Sequence, residues 1–112
     1  MSVESELIAV LSATNIPISN GLYTGSASTY ITFTHWTDPE WYSDDKPEVE
    51  RVFFQVSLFA PITANLTALK EQVKSLLYAA GYSYPSERNL TTEAYGRHIA
   101  FDTERLVDIS GI

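Results

Sequence analysis

Residues 49–59, VERVFFQVSLF, constrain this chain more than any other stretch. Val52, Phe54, Val56 and Leu58 alternate with Arg51, Phe53, Gln55, Ser57 and Phe59. A period of two marks a β-strand with one face turned to a core. The first set is wholly apolar, so that face must cover a core built by the rest of the chain. The second set is mixed and carries Phe53 and Phe59. A sheet with apolar residues on both faces needs cover on both. A neighbouring subunit is one source of the second cover.

The cover for the first face is legible on either side of this strand. Ser2 is placed to cap a helix in which Val3, Leu7, Val10 and Leu11 share one face, with Glu4 and Glu6 favourably in its first turn. Pro17 pushes Ile16 out of the helical region and ends it. Asn20-Gly21 signals a turn. Residues 29–36, TYITFTHW, read as a strand with Ile31, Phe33 and His35 on one side and Tyr30, Thr32, Thr34 and Trp36 on the other. The polar stretch 37–48, bounded by Pro39 and Pro47, is either a long acidic loop or the tip of an extended hairpin.

Pro61 stops the central strand, and Thr63 or Asn65 can cap a second helix. Leu66, Leu69, Val73, Leu76 and Leu77 form its stripe, and Gly81 fits the left-handed closing position. Residues 82–85 predict a short strand, SERNLTTEA a turn region, and 95–103 a last strand with Tyr95, Arg97, Ile99 and Phe101 on one side. Residues 105–112 read as a loose tail. The expected fold is a single α+β domain over 1–112: an antiparallel four-stranded sheet with two helices on one face, in the order α-β-β-α-β-β.

At 112 residues and 45 % hydrophobic content, one core suffices. With no cysteine, disulfides and thiolate metal sites are excluded, and the chain suits a reducing compartment. The first residues, MSVESELIAVL, lack the basic start of a signal peptide, and no apolar run approaches the ~18 residues of a membrane span. Fourteen acidic residues face seven basic ones, a net charge of -7. The basic residues are scattered, so specific nucleic-acid binding is not expected, although DNA could slide past such a surface.

Catalytic patterns are absent. The two histidines, His35 and His98, fall in predicted strands and show no metal-ligand spacing. Ordinary sheet histidines explain them better than a dyad. Asp44 and Asp45, near Asp38 and Glu40, do not match an EF-hand loop and read as a solvated acidic loop. No serine sits in a nucleophile-elbow context, and the glycines are too isolated to cradle phosphate. The sequence thus predicts no enzyme, no cofactor and no metal.

The aromatics are more informative. Trp36, Trp41 and Tyr42 lie in or beside the acidic stretch. They are either interface anchors or a local lid folded back over the sheet. With Asp44, Asp45, Phe53 and Phe59 they make up the candidate interface.

The order YITFTHWTDPEWYSDDKPEVERVFFQVSLF, then a leucine-bearing helix ending in AAGYSY, then GRHIAFDT, resembles the small tail-completion proteins of long-tailed bacteriophages, in the tail terminator and head–tail joining group. The resemblance covers about residues 3–104. It implies an α+β fold, no enzymatic role and no cofactor. It also implies assembly into a homo-oligomeric ring, as a rule a hexameric one, that caps the tail tube and docks it to the head connector. The protein would be made in the bacterial cytoplasm and end in the virion, at the head–tail junction. The rival expectation is a monomeric acidic binding module, of inhibitor or immunity type, whose Asp44 and Asp45 meet a basic partner.

Overall fold

The strand read at 49–59 lies at the centre of the sheet. The computed structural model describes residues 2–43 and 46–108. In chain order these form helix α1 (Val3–Leu11), a 3-10 turn (Ser12–Thr14), β1 (Ile18–Asn20), β2 (Tyr30–Ser43), β3 (Lys46–Ala60), α2 (Thr67–Ala79), β4 (Ser86–Asn89) and β5 (Arg97–Asp108). The sheet order is β1-β2-β3-β5-β4.

The fold is α+β, but the expected sheet is corrected. It has five strands, not four, and it is mixed: β1 runs parallel to β2, and the remaining pairs are antiparallel. The element order is therefore α-β-β-β-α-β-β. What the sequence hid is β1. Its three residues are too few to show alternation, and they sit between Pro17 and the Asn20-Gly21 turn signal. Backbone bonds hold it in place: Ile31 N–H donates to Pro17 O at 2.8 Å, and Gly21 N–H donates to Phe33 O at 2.8 Å.

Two boundaries also differ. The expected strand at 82–85 lies instead at Ser86–Asn89, inside the stretch read as a turn. Of the predicted tail 105–112, residues 105–108 continue β5, because Val107 still packs on the core; residues 109–112 lie outside the described residues. Of the readings for 37–48, the hairpin applies: β2 runs to Ser43 and β3 begins at Lys46, with register shifts between Pro39 and Trp41 and between Trp41 and Tyr42.

The pleat sorts the side chains. Ile31 and Phe33 of β2, Val52, Phe54, Val56 and Leu58 of β3, and Ile99 and Phe101 of β5 are buried with Leu7 and Leu11 of α1 and Val73 and Leu77 of α2 in one cluster. Register makes this a layer, since Phe33, Val56 and Phe101 lie side by side across three strands. Both helices therefore cover the same face. Ser2 caps α1, its hydroxyl accepting from Ser5 N–H at 3.1 Å. At α2 the cap position is Leu66, with Asn65 Oδ1 accepting from Thr67 N–H at 3.1 Å. Gly81, at φ 98°, closes α2 as its type requires.

The first turn of α1 is fastened to the sheet by its acids. Glu4 Oε1 lies 2.8 Å from His35 Nε2, and Glu6 Oε2 lies 3.0 Å from Arg105 Nη1. The hydrogen bond from His35 holds the Glu4 carboxyl below the usual carboxylate range.

Length then decides what is left uncovered. A strand of 14 residues such as β2 spans about 46 Å at ~3.3 Å per residue. The 13 residues of α2 span only about 20 Å at ~1.5 Å per residue. The hairpin β2–β3 must outrun the helices, and the molecule measures 54 Å along its longest axis against 25 and 24 Å across.

Candidate functional site

No described helix packs on the second face of the sheet. It is lined by the alternate residues of β2, β3 and β5. Register sets them in rows across the strands: Tyr30, Phe59 and His98; Thr32, Ser57 and Ala100; Thr34, Gln55 and Asp102; Trp36, Phe53 and Glu104; Asp38, Arg51 and Leu106.

The first row is an aromatic stack. Tyr23, from the loop after β1, stacks on Tyr30 at 4.3 Å between ring centroids, Tyr30 on Phe59 at 5.0 Å, and Phe59 on His98 at 4.2 Å. His98 Nε2 lies 3.1 Å from Ser57 Oγ. Burial pushes the imidazole pKa down, and the nearby Arg88 charge adds to this. The charged form of His98 is therefore disfavoured inside the stack.

The fourth row is the other aromatic contact. Trp36 and Phe53 stack at 5.4 Å with planes 12° apart. Trp36 remains 52 % exposed, and Leu106, near the end of β5, 45 %. Beside Phe53 a shallow depression of ≈ 210 Å³ opens between β5 and residues 83–86. Ion pairs frame the face: Arg51 with Glu104 at 2.9 Å, and Arg88 with Asp102 through two bonds of 2.8 and 3.2 Å.

The predicted interface residues thus divide. Trp36, Phe53 and Phe59 come together on one uncovered face, as the alternation required. Trp41 and Tyr42 fall further along β2, opposite Val49 and Pro47 in register. Asp44 and Asp45 lie outside the described residues. Sequence reasoning missed Tyr23, His98 and Leu106 as members of this face. The hairpin register would have found His98, since Phe59 sits opposite both Tyr30 and His98, but register cannot be read from one strand at a time.

His35 and His98 are on opposite faces of the sheet, so they share no site. Among the described residues no group of three His, Cys, Asp or Glu is placed to hold a metal ion. No described helix is long and apolar enough to cross a membrane. The chain matches no protein-family model, and no curated protein matches it. What the face offers is contact area: flat aromatic surface, a half-exposed tryptophan, and neutralised charges around it.

Proposed function

We propose that this chain is a structural subunit of virion assembly, a phage tail terminator or tail-completion protein. Copies of it join into a ring that caps the tail tube and docks the tube to the head connector. The observation that carries the reading is the hairpin β2–β3. It outruns the helical layer and carries the aromatic face, with Phe59 at its base and Trp36 and Phe53 midway along it. Such a shape has a use in a ring, where a projecting element of one subunit reaches the next and a rotation closes the assembly. Aromatic anchors supply the buried area with few torsions to freeze. The mechanism is geometric: the two faces of a closed ring differ, so one meets the tube and the other the connector.

Light scattering and negative-stain microscopy of the purified chain, alone and mixed with tail-tube protein, test this. Closed rings in either sample are the expected result. A strict monomer in both, at micromolar concentration and above, overturns it.

A further inference from the structure

Charge pairing sets one residue apart. The chain holds twice as many acidic as basic residues. Among the described side chains, Arg51, Lys70, Lys74, Arg88 and Arg105 each lie within 3.2 Å of a carboxylate oxygen. Arg97 has no described partner, and its Nε is buried without a hydrogen bond. Acids are in surplus, yet this cation is left unmatched. A buried donor without a partner costs roughly 1–3 kcal/mol, and native proteins keep few of them without a reason.

The surroundings of Arg97 supply a reason. It opens β5 on the helix-covered side, opposite Ala60. Gly96 before it holds φ 88°, where an added Cβ would meet Ala60 O at 2.8 Å. This close approach fixes where residue 97 begins. Arg97 lines a cavity of ≈ 370 Å³ with Thr63, Asn65, Thr67, Lys70 and Asn89. Hydroxyl and amide side chains thus line the same space as the Arg97 side chain, with Ala64, Leu66 and Ile99 as its apolar part. Lys70 is shared with Glu87 at 3.1 Å, which leaves Arg97, among the described residues that line the cavity, as the cation without a carboxylate.

We propose that this cavity binds a small oxyanion, a carboxylate or phosphate group, with Arg97 as its principal ligand. The planar guanidinium matches two oxygens of either group through parallel hydrogen bonds. The site lies on the opposite side of the sheet from the aromatic rows, since Arg97 and Ala60 adjoin His98 and Phe59 in the register.

The test is thermal unfolding of the full chain against inorganic phosphate and, separately, against acetate, with chloride holding ionic strength constant. The expected result is a saturable rise in Tm of about 2–6 °C in wild type. It is absent in Arg97→Gln and retained in Arg88→Gln, whose arginine serves Asp102. Saturation by phosphate alone assigns a phosphate group; saturation by acetate alone assigns a carboxylate. A rise that is linear in salt, or equal in Arg97→Gln, is general salt stabilisation and overturns the site. Should Arg97→Gln fail to fold, nitrogen-15 NMR of the wild type decides. Saturable shifts of the Arg97 Nε–H and the Thr67 amide are expected, and their absence overturns the proposal.

Discussion

Trp36 lies flat against Phe53 across the β2–β3 pair, 5.4 Å between ring centroids, on the face that no described helix covers. The pair marks the division of labour in this sheet. Phe54, next to Phe53, points the other way and is buried in the core. The first prediction rests on that contrast. Trp36→Ala removes one stacking partner that is already half in solvent, so urea denaturation should register a loss of only about 1 kcal/mol. Light scattering should register much more, with self-association falling at least tenfold if Trp36 is an interface anchor. Equal effects on folding and association would count against that role.

Phe101→Ala should behave in the opposite way. Its ring is fully buried between the strands and the helices. Truncation leaves a cavity and should destabilise the fold by roughly 3–5 kcal/mol. The urea midpoint should fall with its slope unchanged. A loss under about 1 kcal/mol would mean that the core layer of Phe33, Val56 and Phe101 is not packed as described.

Much of this was legible in the sequence because period and spacing are local. The alternation in 49–59 by itself turns Phe54 inward and Phe53 outward, whatever strands lie beside it. The stripe from Leu66 to Leu77 placed α2 in the same way. The parallel strand β1 was not legible. Three residues show no period, and what holds Ile18–Asn20 is pairing with Ile31–Phe33, which is non-local. The stack of Tyr23, Tyr30, Phe59 and His98 was hidden for the same reason: it belongs to a register across three strands and a loop. Arg97 shows a third kind of limit, since a missing partner can be recognised only when every neighbour is placed.

Two glycines separate conformational strain from collision. Gly81 and Gly96 both hold positive φ, 98° and 88°. A Cβ at Gly81 meets nothing within 4 Å, whereas at Gly96 it meets the Ala60 carbonyl oxygen at 2.8 Å. Gly81→Ala should therefore lower stability by about 1 kcal/mol, the strain of a left-handed non-glycine residue. Gly96→Ala adds a backbone collision and should lower it by roughly 2–4 kcal/mol. Thermal unfolding of the two variants side by side checks the order; equal values would contradict the close approach of Gly96 to β3.

Acid should loosen the aromatic stack. His98 is held neutral by burial, with the Arg88 charge as a second cause, so its folded pKa lies below the ordinary 6.5. Between the two values the unfolded chain binds the extra proton. Stability from this group is thus full above about 6.5 and falls as pH drops toward the depressed value. Urea midpoints at pH 7.5, 6.5 and 5.5 should fall more steeply for wild type than for His98→Gln. The groups nearest the ring, Ser57, Phe59 and the Arg88–Asp102 pair, are unchanged in that variant. Parallel curves for the two proteins would show that His98 does not titrate differently on folding.

Pro39 occupies the position on β2 where a missing N–H matters most to neighbours and least to the fold. Ile31 N–H and Phe33 O point outward to the β1 side, and the register with β3 is unbroken from Tyr30 to Pro39. By alternation His35, Thr37 and Pro39 turn their backbone groups to that same outer side. Strand β1 covers only Ile31–Phe33, and no described strand flanks the rest of β2 there. A proline on this side forfeits no bond to β3 and removes a donor from an open edge, a means of limiting sheet-to-sheet growth. Pro39→Val restores the donor. Its folded stability should change by less than about 1 kcal/mol. Its turbidity and thioflavin T signal on prolonged incubation should rise several-fold over wild type as edges join. A variant that stays as soluble as wild type would show that this edge is protected by something other than Pro39.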